Sequence, residues 1–315
     1  MHPTFSIVFF TTASGAGFAL LALIGLGVPL GLWPASPWFG FVSLATAIVF
    51  ATVGLVSSVF HLGRPERAWR ALSQWRSSWL SREGVMAMLT FIPTAIFGIG
   101  WVFFGITDGV IGLSGILAAA GALGTIYCTG MIYASLKPIH QWHNRWVVPN
   151  YFALGLMAGF LLLDVVDRFW LRSPVAAPLL ALIALAVAWW LKEQYWGFID
   201  TTSSPSTVES ATALGRRGKV RMLEPPHTEE NYLLKEMGFR IGRKHAQRLR
   251  LIARVAAFMV PALLTLIALF AGGSTGLTAA VLAVISAALG LVAERWLFFA
   301  EAKHTVTLYY GAAVA

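Results

Sequence analysis

The chain has 315 residues, of which 57% are hydrophobic and only 12% are charged, and its mean hydropathy is +0.72. Soluble domains carry roughly 25% charged residues, so this composition excludes an ordinary water-soluble protein. The net charge of +9 does not indicate nucleic-acid binding, because the basic residues fall in the connections between apolar segments, where they report topology and partner docking.

Apolar runs long enough to cross a hydrocarbon core of about 30 Å recur along the whole chain. They predict eight spans, at about 5–32, 38–62, 84–106, 110–136, 149–170, 175–198, 249–271 and 276–300. The first run has no basic segment before it and no signal cleavage site after it, so we expect a retained helix. The predicted fold class is an all-α membrane protein, with 1–315 forming a single integral-membrane domain, a bundle of eight transmembrane helices.

Residues 199–248 are too polar to span a membrane, since they are Ser/Thr-rich and then strongly charged. We predict a hydrophilic insertion between spans 6 and 7. Its proline-rich, acidic part contains Glu224, His227 and Glu229, and we expect these residues to dock against another protein. A disordered, solvated loop is the alternative.

Basic residues are divided unevenly between the two sides of the predicted bundle. The connections after spans 2, 4 and 6 share one side, here called side A, and contain nearly all the basic loop residues. On the opposite side, side B, only Arg168 and Arg172 occur. The positive-inside rule therefore predicts that side A and both termini are cytoplasmic, in the cell inner (cytoplasmic) membrane.

A cluster of chemically suggestive residues runs from the end of span 2 to the start of span 3. His61 can donate a hydrogen bond to a quinone carbonyl and exchange a proton near neutral pH, and Glu83 can relay that proton. Arginines can keep the site positive and bind an acidic partner. The alternative is an interfacial belt of tryptophans and arginines in which His61 only caps a helix. The arginines are Arg64, Arg67, Arg70, Arg76 and Arg82.

Further charges fall within the predicted spans, where they are expensive unless paired. Asp164 lies one turn before Arg168, so an ion pair within the helix is expected; a role of Asp164 and Asp167 in proton movement is the alternative. Glu294 and Arg295 are adjacent, so they are expected to point to different faces and to have partners on other helices. His304 follows span 8 at the depth of His61 and is a second candidate for the same pocket.

The cofactor possibilities of this protein are few. Its one cysteine, Cys128, cannot form an iron–sulfur cluster or a cysteine-type zinc site. Haem would need two histidines at matching depth on neighbouring helices, and only His61 with His304 forms such a pair. We therefore expect no haem, iron–sulfur cluster or other metal in this protein, and no catalytic residue.

Residues 61–65 (HLGRP) and 79–83 (WLSRE) resemble the membrane anchor of the dimethyl sulfoxide reductase family. This resemblance implies an eight-span subunit that exchanges electrons between membrane quinone, either ubiquinone or menaquinone, and an iron–sulfur subunit, which contacts a molybdopterin catalytic subunit. By motif, the family's quinol-linked histidine and glutamate correspond to His61 and Glu83. The expected quinone-binding residues are His61, Arg64, Glu83 and His304, and the expected docking residues are Arg67, Arg70, Arg76, Glu224, His227 and Glu229.

Within that family, segments 1–15 and 130–137 and the PPHTEEN stretch look more like the cytoplasm-facing sulfite dehydrogenase branch. The predicted orientation of side A agrees with that branch. We therefore expect a non-catalytic, quinone-binding subunit of an oxidoreductase complex, passing electrons from sulfite oxidation to quinone. The alternatives are the anchor of a reductase of dimethyl sulfoxide or another S- or N-oxide, and a secondary transporter, although no convincing internal repeat supports the latter.

Overall fold

The computed structural model describes residues 4–171, 174–224, 245–310 and 312, the side chain of residue 61 excepted. Eight of its helices are long and apolar enough to cross a membrane, which confirms the predicted eight-helix membrane protein. The described residues contain no strand, only an isolated bridge between Ile139 and His304. The helices, numbered spans 1 to 8, are Phe5–Gly27, Pro37–Phe60, Trp79–Phe104, Gly109–Ala134, Val147–Asp167, Ala176–Thr201, Ala246–Phe270 and Gly273–Ala300.

Two span ends differ from the sequence prediction by five residues, more than any other end, for local reasons. Span 1 ends at Gly27, because the Leu32 N–H closes a turn on the Gly27 carbonyl at 2.8 Å and Gly31 adopts a positive φ of 72°. Span 3 begins at Trp79, because the Ser78 hydroxyl caps the helix by accepting a hydrogen bond from the backbone of Ser81. Glu83 consequently lies inside span 3.

Several shorter elements connect the spans. A 3₁₀ turn, Ser58–His61, ends span 2, and a 3₁₀ helix, Pro65–Gln74, follows it. Span 7 changes to a π-helix over Arg254–Met259, just before Pro261, which has no N–H to donate. Short helices at Val208–Thr212 and Val306–Tyr309 lie on side A.

Span 1 lies at the centre of the bundle and packs against spans 2, 4, 5 and 8. Small residues permit this, because lipid offers no hydrophobic drive for helix association and close backbone approach must supply the contact. A Cβ at Gly17 would overlap the backbone of Ala51, and one at Gly54 would overlap the backbone of Ser14. The backbones of spans 1 and 2 therefore approach each other more closely than a side chain at either glycine would allow.

The connection between spans 4 and 5 fixes the side-A end of the bundle. The Trp142 indole donates to the Phe298 carbonyl at 2.9 Å, and the Tyr195 hydroxyl donates to the Gln141 carbonyl at 3.1 Å. The Lys303 backbone N–H donates to the Gln141 amide oxygen at 3.0 Å. These bonds bring the side-A ends of spans 4, 5, 6 and 8 together beside the site described next.

Candidate functional site

Glu83 is a buried carboxylate near the side-A end of span 3, with 3% of its surface exposed. The Thr129 hydroxyl on span 4 donates a hydrogen bond to it. Two residues earlier in span 3, the Ser81 hydroxyl donates to the Ala71 carbonyl, which ties the Pro65–Gln74 helix to span 3. Glu83 therefore lies just beneath the loop that the sequence singled out.

The connection between spans 2 and 3 presents an exposed surface of aromatic and basic side chains. The Pro65–Gln74 helix has no buried residue, and Trp69 is 67% exposed. Arg82 alone among the five arginines turns back into the loop, donating to the Trp75 and Arg76 carbonyls at 2.9 and 2.7 Å. The other four are exposed and form the surface called here the arginine loop: Arg64, Arg67, Arg70 and Arg76.

The other predicted quinone-binding residues are not brought to Glu83 by any described contact. Arg64 lies 3.8 Å from Glu66 on the exposed face of the loop. The His61 backbone ends the turn Ser58–His61, and its side chain lies outside the described residues. The structure therefore places the loop backbone but leaves the His61 contact with quinone a prediction.

His304 packs against the connection between spans 4 and 5. Its backbone pairs with Ile139, and its Nδ1 accepts a hydrogen bond from the Val306 N–H at 2.9 Å. Burial lowers the pKa of His304, which favours the neutral imidazole. Among the described residues, no hydrogen bond or ion pair joins it to Glu83, so its place in the same pocket stays a prediction.

Of the docking residues predicted in the insertion, Glu224 is exposed. His227 and Glu229 lie outside the described residues. The described part of the insertion also exposes a basic group, which adds to the positive charge of side A: Arg216, Arg217, Lys219 and Arg221.

A buried charged triad links spans 6 and 8, and sequence reasoning missed one of its members, Lys192. Lys192 forms an ion pair with Glu294, and both are at most 1% exposed. Arg295 Nε lies 2.6 Å from Glu294 Oε2, and the Arg295 guanidinium lies 4.3 Å from the centre of the Tyr151 ring. The expectation that Glu294 and Arg295 point apart was wrong, because the flexible Arg295 side chain folds back onto Glu294; their expected partners on other helices are present.

A second charged cluster closes the side-A ends of spans 6, 7 and 8. Arg250 binds both Asp200 oxygens, at 2.6 and 2.9 Å, and its Nε donates to Glu301 at 2.9 Å. Burial raises the pKa of the Glu301 carboxyl, although Arg250 opposes that rise. Arg254 binds Glu193 with two hydrogen bonds, at 2.6 and 2.9 Å.

One predicted charge pair is confirmed on side B. Arg168 Nε lies 3.0 Å from Asp164 Oδ1, as their spacing in one helix indicated. Lys192 and Glu193, by contrast, could have been found from the sequence, since two adjacent charges interrupt the apolar run of span 6. Within the described residues, no group of three His, Cys, Asp or Glu side chains could hold a metal ion.

Comparison with known proteins identifies one family and two relatives. The sequence matches the family of DMSO reductase anchor subunits (DmsC) over residues 1–311. It is 31% identical to the C subunit of the sulfite dehydrogenase of Allochromatium vinosum, over 98% of this chain and 99% of that protein. It is also 30% identical to the C component of the anaerobic dimethyl sulfoxide reductase of Escherichia coli, over 44% of this chain and 50% of that protein. No solved structure matches the sequence.

Proposed function

The chain belongs to the DMSO reductase anchor subunit family, and we propose that it is the quinone-reactive anchor of a cytoplasm-facing complex that delivers electrons from sulfite oxidation to the quinone pool. Membership makes it a multi-pass membrane anchor subunit of an oxidoreductase complex. The sulfite assignment is supported by the relative that it matches over nearly its whole length, which is part of a sulfite dehydrogenase.

The observation that carries the proposal is the buried Glu83 carboxylate beneath the arginine loop. Ionisable groups at membrane depth are rare and usually functional. Glu83 would exchange a proton with the bound quinone, and His61 would hydrogen-bond its carbonyl oxygen. Arg64 would keep the local potential positive, and His304 is the second candidate ligand.

An apolar groove between spans 3 and 4 offers a place for the isoprenoid tail of the quinone. It begins at Met86, three residues beyond Glu83, and runs toward side B past Pro93 and Gly121. Its walls are exposed apolar side chains, such as Leu89 and Leu113, at 54% and 55% exposure. A head group beside Glu83 can therefore be continuous with a tail in this groove.

The arginine loop would dock the partner that supplies electrons. Arg67, Arg70 and Arg76 are exposed beside Trp69, and arginine with tryptophan is the composition enriched at interface hot spots. An iron–sulfur subunit with an acidic surface would bind there, with Glu224, His227 and Glu229 of the insertion as further contacts. That subunit would connect to a molybdopterin catalytic subunit.

The proposed chemistry divides between the subunits. Sulfite and water on the catalytic subunit yield sulfate, two protons and two electrons. The electrons pass through the partner's clusters, and the quinone bound to this anchor takes up two electrons and two protons to become quinol. The substrate sulfite never contacts the anchor.

Side A would face the cytoplasm, with both ends of the protein on that side, in the inner membrane. The exposed basic residues of the described loops support this, and Arg168 on side B does not count against it, because its side chain is buried against Asp164.

The test is purification of the complex through a tag on this anchor, followed by identification of the co-purifying subunits. We expect an iron–sulfur subunit, a molybdopterin subunit and sulfite-dependent reduction of a soluble quinone analogue. Reduction of dimethyl sulfoxide by quinol without sulfite oxidation would favour the reductase anchor. Purification with no other subunit would favour the transporter.

A further inference from the structure

A small, partly polar cavity lies in the side-A half of the bundle, between spans 1, 4, 5 and 8. It has room for about one water molecule, which is too little for a quinone ring. Spans 1, 4 and 5 contribute hydroxyl groups to its wall, and span 8 contributes a guanidinium. These polar lining residues are Thr11, Thr12, Ser14, Thr129, Tyr151 and Arg295.

Two polar atoms of this wall lack a well-formed hydrogen bond. Beyond the interactions of Tyr151 with Arg295 and Tyr133, Tyr151 Oη and Arg295 Nη1 are buried and make no hydrogen bond of normal geometry within the described part of the protein. Tyr151 is 6% exposed and Arg295 is 3% exposed. A buried donor without an acceptor is costly, and buried waters usually supply about three hydrogen bonds to such groups. One water in the cavity would satisfy both atoms.

Thr129 connects the cavity to Glu83. Thr129 lines the cavity, and its hydroxyl donates to the Glu83 carboxylate. Because a hydroxyl accepts as well as donates, a cavity water can donate to the same Thr129 oxygen. When Glu83 is protonated, the Thr129 hydrogen can turn to the Thr125 carbonyl, at 3.0 Å. The link therefore accommodates both protonation states of Glu83.

The charged triad that contains Arg295 favours loss of a proton from a water in the cavity. Arg295 and Lys192 both contact Glu294, so the ionised triad carries one net positive charge. In a site with few water molecules, a fixed positive charge stabilises a developing hydroxide strongly. Arg295 lines the cavity, and its Nη1, which makes no hydrogen bond of normal geometry among the described residues, can donate to a water there.

We propose that this cavity binds an ordered water that returns protons to Glu83 through Thr129, with Arg295 as the positioning residue for that water. The inference rests on the proposed function, in which Glu83 gives its proton to the reduced quinone oxygen. The Thr129 hydroxyl proton then passes to Glu83 while Thr129 takes one from the water. The hydroxide left beside Arg295 takes a proton from side-A solvent, so one proton moves from solvent to quinone.

The test uses the tagged complex with Thr129→Val, which removes the hydroxyl at nearly constant shape. We expect kcat with a quinone analogue to fall at least about tenfold, since proton transfer by a positioned group contributes about 10²–10⁴-fold. KM should change less than twofold, and the solvent isotope effect on kcat should rise. Thr129→Ser keeps the hydroxyl and should restore kcat.

Thr125→Val is the matched control, because Thr125 is also buried one turn away, and among the described residues its hydroxyl bonds only to the Gly121 carbonyl. Sulfite-dependent dye reduction checks that each variant assembles. If Glu83→Gln abolishes quinone turnover while Thr129→Val keeps it, the relay is wrong and the proposed function stands. If Glu83→Gln also has no effect, the quinone site itself is elsewhere. A density map of the complex that shows no water between Tyr151 and Arg295 would also overturn the relay.

Discussion

The Thr129 hydroxyl donates a hydrogen bond to the Glu83 carboxylate and joins span 4 to span 3 at the side-A end of the bundle. This single contact ties a residue of the family motif to a second helix. It also fixes the carboxylate beneath the arginine loop, where a quinone and a redox partner would meet. The fold around this contact and the function proposed for it can both be tested.

Arg250 should be required for stability, because it neutralises the buried Glu301 and also binds Asp200. Arg250→Ala leaves Glu301 unpaired, and breaking a buried pair in this way costs about 3–5 kcal/mol. The melting temperature of the detergent-purified protein should fall by several degrees. Arg248→Ala, at an exposed position two residues earlier, should leave it nearly unchanged; an equal fall in both variants would contradict the account.

The buried triad should respond asymmetrically to loss of charge. Lys192→Met leaves Glu294 balanced by Arg295, whereas Glu294→Gln leaves two buried cations together. We expect the larger fall in melting temperature for Glu294→Gln, and partial recovery when Lys192→Met is added to it. If both single variants lower the melting temperature equally and the two falls add in the double variant, the three charges are not coupled.

Charge reversal in the arginine loop should weaken partner docking. Arg67→Glu with Arg70→Glu should lower the amount of iron–sulfur subunit retained on membranes, and more so as salt is raised, because the remaining attraction is screened. Quantitative immunoblotting of washed membranes measures this. Arg248→Glu reverses a charge elsewhere on side A and should retain the partner. If the variant carrying both Arg67→Glu and Arg70→Glu retains as much partner as the wild type, the docking surface lies elsewhere.

The orientation can be tested with reporters on both sides. Green fluorescent protein fused after Ala315 should fluoresce, and alkaline phosphatase at the same place should be inactive, since side A is proposed to be cytoplasmic. The connection between Gly105 and Gly109 lies on side B, so phosphatase inserted there should be active. The opposite pattern would invert the topology. The orientation of side A would then no longer support the assignment to a sulfite dehydrogenase complex.

Much of the fold follows from local patterns in the sequence. Apolar runs predict the eight spans, and the spacing of Asp164 and Arg168 predicts their ion pair, because both features depend on one helix alone. Span ends were less predictable, as at Gly27 and Trp79, where a turn and a cap set the boundary.

The polar contacts between helices could not be predicted in the same way. Thr129 pairs with Glu83 because spans 3 and 4 pack side by side, and Lys192 pairs with Glu294 because the long side chains of spans 6 and 8 reach each other. That arrangement depends on packing at small residues such as Gly17, which the sequence offers in many places. A threonine in an apolar run carries no signal of its own, so its role emerges only from the structure.

The most direct test of the central claim is turnover of the complex carrying Glu83→Gln, with sulfite as donor and either a quinone analogue or a soluble dye as acceptor. Glutamine keeps the shape but cannot exchange the proton, so quinone reduction should fall about 100-fold or more, while dye reduction stays at the wild-type rate. Glu66→Gln, at an exposed glutamate of the same loop, is the control and should reduce both acceptors normally. Quinone reduction at the wild-type rate in Glu83→Gln would contradict the account.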